Sequence, residues 1–138
     1  MNQPTDRFHA RISDAPLVPN LRKDDGWVDM QVQFLIDKAT VGTDDFLLGR
    51  TILPPGARHD RHLHRNADEF FVVLAGSGLI YSDHGTEFAT SGEVVWTPRG
   101  RYHGFNDTGE EAVVLLWGWS GCGSLEDSGY EVDPELHR

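Results

Sequence analysis

The chain has 138 residues, 38% of them hydrophobic, a size that suits one domain with one core and leaves little room for a second. A formal net charge of -10 creates a field that repels nucleic acid and anionic membrane surfaces, so neither is expected as a partner. One cysteine excludes an intrachain disulfide framework, and no apolar run approaches the roughly 20 residues that span a bilayer. The charged N-terminus does not read as a secretory signal, and the expected location is the cytoplasm.

Residues 1–27 are polar and carry Pro4, Pro16 and Pro19, which reads as an extended arm with room for one short strand. From residue 28 to about 120 the pattern is all-β. Val32, Phe34 and Ile36 alternate with Gln33, Leu35 and Asp37, and Phe46 to Leu53 forms the next expected strand, stopped by Pro54, Pro55 and Gly56. Glu69 to Ala75 follows and ends at Gly76. Leu79 to Ser82 and Glu87 to Ala89 flank a turn at Asp83, His84 and Gly85. After Glu93 to Thr97, Ala112 to Trp119 is the last strong strand. It places Val113, Leu115, Trp117 and Trp119 on one face. Short strands punctuated by Gly and Pro point to a sandwich or barrel. The tail, residues 121–138, is polar and expected on the surface. Cys122, between two glycines with no activating partner in sequence, reads as an incidental thiol.

The chemistry concentrates in two stretches. His62 and His64 are two apart, so on a strand both imidazoles leave the same face and can share a metal ion. Asn66 and Asp68 favour a turn, and a hairpin there would set Glu69 opposite the histidines. Further on, His103 lies three residues beyond Gly100 in a Pro-x-Gly turn that would aim it back at the sheet. His59 is at an odd offset from His62, which places it on the opposite strand face.

These stretches resemble the two motifs of the cupin superfamily. Gly56, His62, His64, Glu69 and Gly76 fill every defined position of G-x5-H-x-H-x4-E-x6-G. Gly92, Pro98, Gly100 and His103 fill the second motif, G-x5-P-x-G-x2-H-x3-N, except that Asp107 stands at the final Asn. The spacer of fifteen residues between Gly76 and Gly92 resembles that of compact single-domain members. The resemblance implies a double-stranded β-helix, or jelly-roll barrel. It also implies one divalent transition metal on His62, His64, Glu69 and His103, with iron(II) favoured and manganese, nickel, zinc, cobalt or copper as alternatives.

Three functions stay open from this reading. The first is an oxygen-dependent dioxygenase acting on a small organic substrate. The second is a redox-neutral lyase, isomerase, cyclase or decarboxylase that uses the ion as a Lewis acid, with Glu69 as a catalytic general base. The third is a non-catalytic small-molecule binding module. Phe71 and Val73 share parity with Glu69, and with Trp96, Phe105, Trp117 and Trp119 they are candidate pocket liners. The tryptophans could equally pack in the core or at a dimer contact. Arg50, Arg58, Arg61, Arg99 and Arg101 are candidates for holding a substrate carboxylate. Apolar outer strand faces suggest a homodimer.

Overall fold

A computed structural model describes residues 5–135. Two antiparallel sheets face each other. One follows the order β1 (Trp27–Val28), β4 (Arg58–His64), β9 (His103–Asn106), β6 (Ser77–Ser82) and β7 (Gly85–Thr90). The other runs β2 (Gln31–Ile36), β3 (Phe46–Leu53), β10 (Val113–Ser120), β5 (Asp68–Ala75) and β8 (Val94–Thr97). A single helical turn, α1 (Lys38–Val41), links β2 to β3. It is closed by a capping box between Asp37 and Thr40. The described residues thus form the expected all-β jelly-roll barrel, and no helix among them is long and apolar enough to cross a membrane.

The core lies between the sheets and is built by alternation. In β3, Leu47, Thr51 and Leu53 turn inward while Leu48, Arg50 and Ile52 turn out. In β10, Val113, Leu115, Trp117 and Trp119 are buried, as their spacing predicts. β5 ends where Gly76 adopts φ of 79°. A Cβ there would sit 2.6 Å from the Ala112 carbonyl oxygen, so only glycine lets the chain leave the sheet at this point.

Both terminal segments differ from expectation. The arm joins the barrel earlier than residue 28: Trp27 is buried and begins β1, and Val18 donates its N–H to the Val32 carbonyl. The tail does not simply lie on the surface. It supplies β11 (Tyr130–Val132), paired with β4, and buries Cys122, Ser128 and Asp133. The reason is geometric. β1 covers only the first half of the β4 edge, at Arg58 and His59, and β11 satisfies the backbone groups of the second half, from His62 to His64.

Candidate metal centre

β4 presents His62 and His64 into the barrel. The turn at Arg65 to Ala67 reverses the chain, and Glu69 enters from β5 in the facing sheet. Gly100 donates its N–H to the His64 carbonyl at 2.8 Å. That bond folds the Pro98–Gly100 turn against β4 and sets His103 opposite His62 in the β4–β9 register. One ligand atom from each of His62, His64, Glu69 and His103 falls within 4.8 Å of the others. The four residues that the motifs single out therefore converge on one point.

Each histidine is held by its other nitrogen. His62 Nδ1 lies 2.7 Å from the Asp60 carbonyl and His103 Nδ1 lies 3.2 Å from the Arg101 carbonyl. Carbonyl oxygens only accept, so both Nδ1 atoms carry the proton and both Nε2 atoms present a lone pair. His64 Nδ1 lies 3.1 Å from the Ser128 hydroxyl. That hydroxyl spends its single hydrogen on the Leu125 carbonyl at 2.7 Å, so it accepts from His64, with the same result.

Inside the cluster, His64 Nε2 is 3.7 Å from Glu69 Oε1, and His103 Nε2 contacts the same oxygen. None of the three Nε2 atoms, nor Glu69 Oε1, makes a hydrogen bond of good geometry. Buried polar atoms left this way are costly unless something binds them. Three neutral imidazoles with fixed tautomers and a carboxylate suit a borderline divalent ion, so the residues fit the metal that the motifs imply.

The electrostatics agree with that fit. Burial drives the His62 and His59 pKa values well below the ordinary histidine value and takes His64 to about 4. For Glu69, burial pushes upward, but the neighbouring His103, His64 and His59 outweigh it and hold the carboxylate at about 2. For His103 burial pushes downward, and Glu69 outweighs it to raise the pKa. Burial thus favours the neutral form of His62 and His64, whereas Glu69 and His103 each favour the other's charged form.

A cavity opens beside the four ligands. Its walls include Trp27, Leu53, Phe71, Phe105, Leu115 and Trp117, and Trp119 also reaches it. Phe71, Phe105 and Trp117 are thus among the residues that line it. Two expected liners are not. Val73 is buried in the core away from the cavity wall. Trp96 is 59% exposed, because it pairs with Phe70 in the β8–β5 register and shares the outer face of the sheet. None of the five candidate arginines lines the cavity. Arg58, Arg61, Arg99 and Arg101 pair with carboxylates, and Arg50 donates to Gln33.

His59 is the main correction. Parity places it on the far face of β4, yet it stacks on His62 with ring centroids 3.7 Å apart and lines the cavity. The β4–β9 register runs from His59↔Phe105 to His62↔His103, three steps against two. One extra residue in β4 makes a β-bulge there, and a bulge flips the parity of everything before it. His59 Nε2 lies 3.1 Å from the Tyr130 hydroxyl, which donates to the Asp25 carbonyl. Ser128 and Tyr130 were also beyond sequence reasoning, since nothing in a polar tail marks them as neighbours of the histidines.

Residues 49–119 match the cupin domain model, which is more than half of the chain. The chain belongs to the cupin family. Among cupins, an oxalate-binding protein of Thermotoga maritima is 30% identical over 100 residues, covering 72% of this chain and 80% of that protein. The structure of a polyketide cyclase of Streptomyces resistomycificus superposes with a TM-score of 0.71 at 25% identity, over 83% of this chain and 79% of the other. A predicted oxalate decarboxylase of Thermotoga maritima superposes with a TM-score of 0.73, over 82% of this chain and 98% of the other. At 22% identity, that last likeness speaks to the fold alone.

Proposed function

We propose that this cupin is a metal-dependent enzyme acting on a small, flat organic molecule without strong charge. The observation that carries this reading is the meeting of two features. Four ligand atoms converge within 4.8 Å, and beyond them the adjoining cavity is walled mainly by aromatic and aliphatic side chains, with Thr51 and His59 and no lysine or arginine. A dianion such as oxalate would find no cationic side chain on that wall to replace its hydration. Its binding would rest on the metal alone.

Oxygen-dependent cleavage is the leading reaction. A bound iron(II) would supply adjacent positions for substrate and dioxygen, whereas a zinc or nickel ion would supply a Lewis acid. The chain's own part is to exclude water with Trp27, Phe105 and Trp117 and to orient the substrate against them. Glu69 reaches the cavity wall, which is the position from which it would take a proton from the substrate. A second reading, redox-neutral cyclisation, is favoured by the likeness to the polyketide cyclase across 83% of this chain.

The deciding experiment is metal analysis of chelator-free protein, followed by oxygen uptake on a panel of diketones, catechols and small phenols. Uptake that depends on added iron(II) is expected. Turnover that persists undiminished without oxygen would replace cleavage by the redox-neutral reading. Saturable binding with no consumption of any substrate would make the protein a binding module.

The same reading includes a homodimer. The outer face of the second sheet gathers Ile52, Phe70, Val72, Leu116, Val94 and Trp96, and Val94 is 69% exposed. A second copy is the fitting partner. Two chains of net charge -10 repel, and the carboxylate this face carries on β5, Asp68, is paired with Arg99. Pairing of two copies there would cover apolar surface that a lone barrel exposes.

A further inference from the structure

We propose that the C-terminal segment from Ser124 to Asp133 is the outer shell of the metal centre, with Ser128 and Tyr130 as positioning residues that set metal affinity. The proposal rests on the reading of His62, His64, Glu69 and His103 as a metal site. It goes beyond it because this segment lies outside residues 49–119, the stretch that matches the cupin domain.

Three observations place the segment there. The first is register. β11 runs along the ligand strand itself, with Tyr130 opposite His64 and Val132 opposite His62. Arg65 and Asn66, which follow the ligands in the chain, donate their N–H groups to the carbonyls of Gly129 and Ser128. Asn66 also donates from its side chain to the Asp127 carbonyl at 3.0 Å. The segment therefore closes both the ligand strand and the turn that carries the chain on to Glu69.

The second is the Ser128 hydroxyl. Ser128 is fully buried, and its hydroxyl stands 3.1 Å from His64 Nδ1. Because it donates to Leu125, it accepts from His64 and holds the imidazole in the tautomer that frees Nε2. The other two histidines use main-chain carbonyls two residues before them for this purpose, Asp60 and Arg101. His64 alone depends on a side chain, and that side chain comes from 64 residues away.

The third is the Tyr130 ring and hydroxyl. The ring centroid is 5.0 Å from that of His62 and 5.5 Å from that of His64. Its hydroxyl donates to the Asp25 carbonyl and so accepts from His59 Nε2, which fixes the imidazole stacked on His62. Tyr130 thus limits the freedom of two ligands through contact, and of one of them a second time through His59. Partners of this kind, which touch ligands and not the ion, typically change metal affinity by about 10–100-fold.

The test is competition of zinc(II) and cobalt(II) against a chromophoric chelator, using the full chain in wild-type, Ser128→Ala and Tyr130→Phe forms. The visible spectrum of the cobalt form and the melting temperature of the metal-free form are recorded beside it. Ser128→Ala is expected to weaken binding of both ions about 10–100-fold and to alter the cobalt spectrum, while the metal-free form still melts cooperatively, at a temperature lowered by the loss of a buried hydrogen-bond partner. Tyr130→Phe, which keeps the ring and removes the hydroxyl, is expected to act in the same direction toward the lower end of that range. Affinity of Ser128→Ala within twofold of wild type, with an identical cobalt spectrum, overturns the proposal. If Ser128→Ala does not fold, Tyr130→Phe decides by the same criterion. If the wild-type chain takes up neither ion, the metal reading itself falls, and the wild-type titration shows this before any variant is made.

Discussion

The imidazole of His59 lies on that of His62, with ring centroids 3.7 Å apart and planes 20° from parallel, although three positions separate them in the chain. The contact makes His59 part of the cavity wall and a brace for a ligand. His59 is not among the four residues whose ligand atoms converge, and its Nε2 is engaged by Tyr130. At saturating zinc(II) in equilibrium dialysis, His59→Ala is expected to keep one ion per chain. His62→Ala is expected to hold close to none. The reverse pattern would reassign the site.

The narrowest packing constraint beside the cavity is at Gly49. A Cβ on Gly49 would lie 2.2 Å from the Trp117 indole, whose Nε1 donates to Thr51 at 2.8 Å. The indole is held by that bond and by Trp119 and Phe34, so it has little room to give. Gly49→Ala is expected to lower stability by about 1–3 kcal/mol through overpacking. Urea unfolding at fixed metal content measures it, and an unshifted midpoint would mean that Trp117 moves freely.

The buried histidines set a pH dependence for the metal-free protein. His64 titrates at about 4 when folded, because burial opposes its charge, against about 6.5 when unfolded. Between those values the unfolded chain binds more protons, so stability falls as pH drops from about 6.5 towards 4. His62 acts in the same direction. His103 has a raised pKa and acts oppositely, losing its contribution as pH climbs above about 6.5. Urea midpoints of chelated protein should therefore be lower at pH 5 than near pH 6.5. A midpoint that rises on acidification would contradict the assigned environments.

The apolar outer sheet face makes its own prediction. Trp96→Lys adds a charge where the side chain is already 59% exposed, so the barrel itself should tolerate it. Sedimentation velocity at micromolar concentration is expected to show a dimer for the wild type and a monomer for the variant. A wild-type monomer would remove the homodimer from the proposed function.

The all-β pattern and the pairing of His62 with His64 were legible from local spacing, and the resemblance to the cupin motifs added Glu69, His103 and the jelly-roll barrel. His-x-His puts two imidazoles on one strand face whatever the rest of the fold does. Runs of alternating apolar residues broken by Pro54, Gly76, Gly92 and Gly100 force short antiparallel strands. Parity was enough to place Phe71 and Trp117 inward, since from Leu115 to Ser120 the β10–β5 pairing runs without a register shift.

Parity failed at His59, where one extra residue bulges β4, and at Trp96, where register against Phe70 decided which face was outer. A bulge is a mismatch between two strands, so neither strand's own pattern contains it. The partners of the metal ligands were equally out of reach. Ser128 and Tyr130 owe their role to a tail that folds back along β4 to fill the edge β1 leaves open, and that vacancy exists only once the sheet is assembled. Sequence spacing and the cupin motifs together pointed to which atoms gather in this protein. Tertiary pairing alone decided what holds them in place.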